Sequence, residues 1–313
     1  MPAAAELPAA ISRAERRIRE WIVETPLQPS PIGPHLKLEH LQHTGSFKAR
    51  GAFSRLLALS ETARARGVIA ASTGNHGAAV AYAAAKLGIA GRIVVPANAD
   101  AGKVAAIRAL GGVVEVHGDD CAVAEAHARR LAGREGLPYV SPYNDPEVVA
   151  GQGTLGVELA RQLPEVEAVF IALGGGGLLA GVAAWLKSVR PGVRVIGCSP
   201  ENSAVMIASV RAGRIVELES KPTLSDGTAG GVEPGAITLE LVSSLADEYL
   251  TVTEDEIGGA MRLLHRTHGL AVEGAAGVAV AGYLRQAERW RGHAAVAILC
   301  GGNVTPNVLR SVL

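Results

Sequence analysis

The chain is poor in aromatic residues and has no excess of either charge. Three Phe, three Trp and five Tyr among 313 residues leave little material for a base-stacking surface. Thirty basic side chains stand against thirty acidic ones, so the formal net charge is zero. Neither a nucleic acid nor an anionic membrane is an expected partner. Cysteine is scarce as well: Cys121, Cys198 and Cys300 are odd in number, widely spaced, and form no Cys-x-x-Cys pair. That pattern argues against a disulfide framework and a zinc site, and for a reducing compartment. No apolar stretch follows a basic start, so no signal peptide is expected and the cytoplasm is the expected location. Residues 168–186 carry no charge over 19 positions, the length of a membrane span. Four consecutive glycines in their middle would break such a helix, and a buried strand, a glycine loop and a helix is the better parse.

What the chain does have is apolar material, 48% of its residues, enough for a globular core without metals or disulfides. Ile11, Ile18, Trp21 and Ile22 among Arg13, Arg16, Arg17 and Arg19 predict an amphipathic surface helix within 8–23. Further on, strand-like and helical stretches alternate. Strands are expected at 35–39, 68–71, 92–95, 113–117, 168–173, 194–198, 249–252 and 295–300. Helices are expected at 75–88, 101–110, 120–136, 146–163, 178–189, 254–268 and 274–288. Several strands, such as Val169–Leu173 and Val296–Cys300, are continuously apolar, as in parallel sheets covered on both faces. The expected fold class is therefore α/β, with open twisted sheets flanked by helices. The stretch 214–237 is irregular and reads as a long loop, ordered near the site or flexible.

Four segments could carry chemistry, and each also has an ordinary reading. Lys48 lies in Thr44-Gly45-Ser46-Phe47-Lys48-Ala49-Arg50-Gly51-Ala52, at an expected loop-to-helix junction with Ser46 as cap. A lone lysine is usually a solvated charge; one held at a helix start loses hydration and becomes a better nucleophile and base. Ser72-Thr73-Gly74-Asn75-His76-Gly77 follows a strand and opens a helix, which makes it a simple cap or a cradle for a carboxylate or phosphate. Gly174-Gly175-Gly176-Gly177 lets backbone approach a phosphate, although it is neither GxGxxG with a downstream acid nor a P-loop. Cys300-Gly301-Gly302-Asn303 ends an apolar run; its thiol is a small core group or a neutral partner for a ring nitrogen. All four are expected to follow a strand and lead toward a helix. An amine, two anion cradles and a neutral polar group are the inventory for pyridoxal phosphate and an amino acid. A nicotinamide-dependent enzyme is the rival reading of the glycine run.

TGSFKARGA, STGNHG, VVAGQGT (148–154), GGGGLLAG and CGGN occur here in one order. In that order the chain resembles the serine/threonine dehydratase family, which includes serine racemase, over roughly residues 20–310. The resemblance implies the tryptophan-synthase β fold (fold type II), with a large domain of 1–55 and 146–313 and a small mobile domain of 56–145. It implies that Lys48 binds pyridoxal 5'-phosphate covalently, that Phe47 packs beside it, and that Asn75 bonds its phenolic oxygen. Gly174, Gly175, Gly176 and Gly177 would hold the phosphate, and Cys300 would stand near the pyridine nitrogen. Ser72, Thr73, Gly74, Asn75 and His76 would hold the substrate carboxylate, with Lys48 and Thr73 as the catalytic residues. A homodimer is implied too.

Some relatives bind a divalent cation through a Glu and an Asp; Ser199 and Val205 stand at those places, so no metal is expected. Racemases of the family place a serine where Thr73 stands. No regulatory domain is expected after CGGN. The reaction implied is β-elimination of water from L-threonine or L-serine, giving a 2-oxo acid and ammonia. Serine racemisation, or dehydration of 3-hydroxyaspartate, phenylserine or a hydroxyectoine-derived compound, is the alternative. Tyr143, Asn144 and residues 226–231 are candidate pocket residues.

Overall fold

The computed structural model describes residues 4–313. The strands are β1 Leu27–Gln28, β2 His35–Lys37, β3 Val68–Ala71, β4 Gly91–Val95, β5 Val113–Val116, β6 Ala168–Ala172, β7 Arg194–Pro200, β8 Glu248–Val252 and β9 Ala295–Ile298. The helices are α1 Leu7–Ile18, α2 Lys48–Ala58, α3 Glu61–Arg66, α4 Asn75–Lys86, α5 Ala101–Ala109, α6 Cys121–Glu135, α7 Pro146–Gln162, α8 Gly177–Val189, α9 Val205–Ala212, α10 Thr238–Leu245, α11 Glu254–His268, α12 Gly274–Arg285 and α13 Pro306–Val312.

They build two open sheets. One runs β1-β2-β9-β6-β7-β8 and is parallel apart from β1; the other is the parallel β3-β4-β5. The expected α/β class is what the chain adopts. Every residue of β6 and β9 is buried, as their unbroken apolar runs demand. Local chemistry sets the helix ends. Asp145 accepts from the N–H groups of Glu147 and Val148, and Pro146 begins α7. Thr253 and Glu256 form a reciprocal capping box on α11, whose last turn carries His265, Arg266 and His268 before Gly269 at φ +67°.

The expectations fail in short elements. β1, α3, α9, α10 and α13 were not expected: a two-residue strand and helices of six to eight residues show almost no periodicity. Ser46 does not cap α2. It is extended and buried in an isolated bridge to Gly301, the Phe47 N–H donates to the Cys300 carbonyl, and the helix starts one residue later. The lysine segment also follows two short 3-10 turns, Glu39–Leu41 and His43–Gly45, rather than a strand. The stretch 214–237 holds a further 3-10 turn, Asp226–Thr228, and packs against the glycine loop.

Behind α2 lies a fully buried ionic cluster. Arg50 grips Glu39 with Nε and Nη2 (2.8 and 2.7 Å) and Glu158 with Nη1 and Nη2 (2.6 and 2.9 Å). Lys37 donates to Glu158 (2.6 Å), the Thr25 carbonyl (2.7 Å) and Gln162 (2.9 Å). Two cations face two carboxylates, so the cluster is neutral. Burial alone would push the Glu39 carboxyl up, but the charge and hydrogen bonds of Arg50 hold it below its ordinary range. Removing one partner strands a buried charge. Arg50→Leu should therefore destabilise the fold by about 3–5 kcal/mol, read as a lower urea midpoint with unchanged slope; a loss under about 1 kcal/mol, the scale of an exposed pair, would count against this view.

Candidate active site

Lys48 is the first residue of α2, and Arg50, two positions on, anchors that helix start from behind. The Lys48 Nζ donates to the Pro142 carbonyl (3.0 Å) and lies 5.0 Å from the centroid of the Phe47 ring. Loss of hydration pulls its pKa down to about 8, although Cys300 and Glu273 work in the other direction. The turn before it is strained: Thr44 has φ +61°, the single non-glycine residue at positive φ among the described residues. Asn303 braces that turn by donating Nδ2 to the Thr44 carbonyl (2.8 Å).

Ser72 to His76 form the turn from β3 into α4. The Ser72 hydroxyl accepts from the Gly74 N–H (3.2 Å), Thr73 is half-buried beside them, and no side chain caps α4. Its first N–H groups therefore lack side-chain partners, which favours an anion there. A Cβ added at Gly74 would meet nothing within 4 Å, so space lies over the turn. Burial, and then the Lys48 charge, lower the His76 pKa to about 3. Its neutral ring donates from Nε2 to the Val140 carbonyl (2.8 Å), a strut between α4 and the segment that also receives Lys48.

Gly174 to Gly177 join β6 to α8, again without a side-chain cap. Gly176 has φ +86°, and a Cβ on Gly175 would come 2.3 Å from Tyr143 Cδ1. The Tyr143 ring covers this loop, and its hydroxyl accepts from the Glu233 N–H (2.9 Å). Asn144 accepts from the Ile237 N–H (2.9 Å). On the far side Thr228 packs against Gly174, and the buried Thr238 hydroxyl beside Gly176 has no partner among the described residues.

Cys300 is buried, with Sγ 3.8 Å from Glu273 Oε1. Burial, then the Glu273 charge, push its thiol well up, so it stays protonated. Asn75 donates Nδ2 to both Glu273 oxygens (3.0 and 2.8 Å) and accepts from Asn303 Nδ2 at Oδ1 (2.7 Å). The amide expected to face a ligand thus has two protein partners already.

Glu273 escaped the sequence reading. It is the one charged residue in 270–284, a lone acid at the head of an apolar helix, and that isolation was the available signal. Asn303 was visible within CGGN without a role. Ser199 is buried and donates to the Leu173 carbonyl (2.7 Å), and Val205 packs in the core.

A half-buried amine, a glycine loop whose helix end has no cap, an orphaned hydroxyl beside that loop and a protonated thiol fit pyridoxal phosphate: a phosphate for the loop and an aldehyde for Lys48. The fold and this donor set define a class of α/β enzymes built around that cofactor. Comparison with known proteins agrees. A family model described as pyridoxal-phosphate dependent enzyme matches residues 18–301, and the chain belongs to that family. It is 41% identical to the L-threonine ammonia-lyase of Thermotoga maritima over 310 residues, 97% of this chain and 77% of that protein. The processed form of threonine deaminase isoform 2 from Solanum lycopersicum superposes with a TM-score of 0.94 at 34% identity, covering 99% of this chain and 93% of that one. Maize serine racemase gives 0.90 at 32%, covering 97% and 95%. The nicotinamide reading of the glycine run is set aside.

A lysine whose folded pKa is about 8 against 10.5 in the unfolded chain weakens the ligand-free fold. That penalty is full below about pH 8 and fades as pH rises through 10.5, above which both states are neutral. Lys48→Met should thus stabilise the ligand-free protein at pH 6 and lose that advantage by pH 10.5 in urea titrations. An equal gain at both pH values would show that packing, not charge, is responsible.

Proposed function

We propose that this chain is an ammonia-lyase that eliminates water from a β-hydroxy amino acid, L-threonine or L-serine, and releases a 2-oxo acid and ammonia. The observation that carries the reading is Lys48, an amine with pKa about 8 at a helix start, facing the crossing segment that also covers the glycine loop. The names of the relatives support the same chemistry. When bound, pyridoxal phosphate supplies an electron sink for negative charge at the substrate Cα.

The protein supplies the rest. Gly174 to Gly177 offer N–H groups to a phosphate at the α8 N-terminus. Phe47 walls one side of the lysine. Ser72, Thr73, Gly74, Asn75 and His76 place the substrate carboxylate at the uncapped start of α4. His76 is neutral and tied to Val140, so it orients and does not shuttle protons. Cys300, whose thiol stays protonated, would offer the ring nitrogen a neutral partner and leave it uncharged. Lys48, once free, takes the Cα proton; its low pKa leaves a useful neutral fraction near neutrality. The β-hydroxyl departs as water, and the proton that Lys48 took from Cα balances the one that leaves with it. The released enamine takes up water and gives the 2-oxo acid and ammonia. Thr73 carries the hydroxyl suited to act on the opposite face.

We assign residues 56–145, which hold β3-β4-β5, to a small domain that closes over the substrate, and the remainder to a large one. Two ion pairs, Lys103–Asp226 (2.8 Å) and Arg129–Glu233, span from α5 and α6 to the loop 226–237 and support closure as a discrete state. The family resemblance supports a homodimer, and three free cysteines support a reducing compartment such as the cytoplasm. No helix among the described residues is long and apolar enough to cross a membrane.

Lys48→Ala should abolish the absorbance of bound cofactor and lower ammonia release from L-threonine by about 10²–10⁴-fold or more; retained turnover would sink the assignment. Chiral analysis of recovered serine gives the second check. Pyruvate should form faster than D-serine, and Thr73→Ser should shift the ratio toward D-serine. A parent protein that makes D-serine faster than pyruvate would be a racemase.

A further inference from the structure

Glu273 has no part in the chemistry above, yet it is a carboxylate only 5% exposed, at the N-terminal cap position of α12 beside the lysine recess. Such a group is costly unless its oxygens are used. They are used on Asn75, whose Nδ2 lies 3.0 and 2.8 Å from the two oxygens. The space is reserved for it: a Cβ on Gly301 would come within 2.5 Å of Glu273 Oε1.

The contact belongs to a longer chain. Asn303 Nδ2 donates both to the Thr44 carbonyl (2.8 Å) and to Asn75 Oδ1 (2.7 Å), and Asn75 Nδ2 then meets Glu273. Each end terminates in an acceptor. A backbone carbonyl can only accept, so Asn303 must turn its nitrogen toward Thr44. The second hydrogen on that nitrogen needs an acceptor, which makes Oδ1 the atom Asn75 presents to it. Asn75 Nδ2 is left toward Glu273, whose oxygens suit it; burial pushes that carboxyl up, and even a protonated acid keeps one carbonyl oxygen as acceptor. Nδ2 has two hydrogens, and a carboxyl group sharing one of them leaves the other free.

We propose that Glu273 is a positioning residue: at the end of the chain Thr44–Asn303–Asn75–Glu273 it fixes the Asn75 amide as a hydrogen-bond donor toward the phenolic oxygen of the cofactor. The same chain ties the first turn of α4 to the strained turn that precedes Lys48, so the donor and the amine are set by one network. This inference rests on the proposed contact between Asn75 and the cofactor.

The test is binding of pyridoxal phosphate to purified protein, followed by the visible absorbance maximum and by the dissociation constant, without any turnover. Asn75→Ala should move the absorbance maximum and weaken binding by about tenfold, the scale of one hydrogen bond to a charged group. Glu273→Leu should move the maximum in the same direction, and the double variant should be no worse than the worse single one. Glu273→Gln keeps a carbonyl acceptor and should stay within about threefold of the parent, far less than a lost hydrogen bond. If Asn75→Ala has no effect, the assigned cofactor contact is wrong. If Asn75→Ala has its effect while folded Glu273→Leu matches the parent, or if the two effects simply add, the role of Glu273 is overturned and the contact stands. Should Glu273→Leu fail to fold, Asn303→Ala on the exposed loop probes the same chain: weaker binding with a shifted maximum supports it, and parent-like binding overturns it.

Discussion

Arg50 carries a charge where no water reaches it, between one carboxylate eleven residues earlier and another far along the chain. Glu39 precedes the lysine turn, Glu158 belongs to α7, and Lys37 arrives on β2. A planar guanidinium held by four hydrogen bonds of 2.6–2.9 Å has little freedom to slide. The start of α2 is therefore indexed against β2 and α7 before any ligand is considered. The place of Lys48 depends on that indexing: a shift of one residue would rotate the lysine about 100° around its helix, away from Pro142.

The crossing segment 139–145 plays the matching part between the two sheets. Tyr139 bridges to Ile69 of β3, Val140 receives His76, Pro142 receives Lys48, and Tyr143 covers the glycine loop. Asp145 then caps α7 and pairs with Arg55 of α2 (2.6 Å). Seven consecutive residues thus touch both sheets and both cradles. A stretch with almost no regular structure carries this many contacts because its backbone carbonyls are free to serve as acceptors, which strand and helix carbonyls are not.

Much of the fold was legible in the sequence because buried parallel strands and long helices announce themselves. β6 and β9 are unbroken apolar runs, and α7 opens on Asp-Pro. The four candidate segments were legible through their glycines and their places between elements. Short pieces such as α9 and α13 were not, since two turns cannot show a period. Ser46 was misread because a serine before a helix looks like a cap, whereas the pairing that claims it comes from Gly301 at the far end of the chain. Glu273 was missed for a related reason. Its importance is relational, made by Asn75, Cys300 and Gly301 converging on it, and local sequence carries no trace of such convergence.

The pairing of β2 with β9, in which His35 meets Val296, has a kinetic corollary. The bridge of Ser46 to Gly301 and the bond from Asn303 to Thr44 depend on that same closure. During synthesis the lysine turn emerges early and must wait until residues 296–303 have been made before these neighbours exist. Contacts of such wide separation fold slowly. The β3-β4-β5 unit pairs within residues 68–116, apart from the bridge to Tyr139, and can form on the ribosome well ahead. Nascent chains therefore carry a formed β3-β4-β5 unit while the lysine turn still awaits its partners from 296–303.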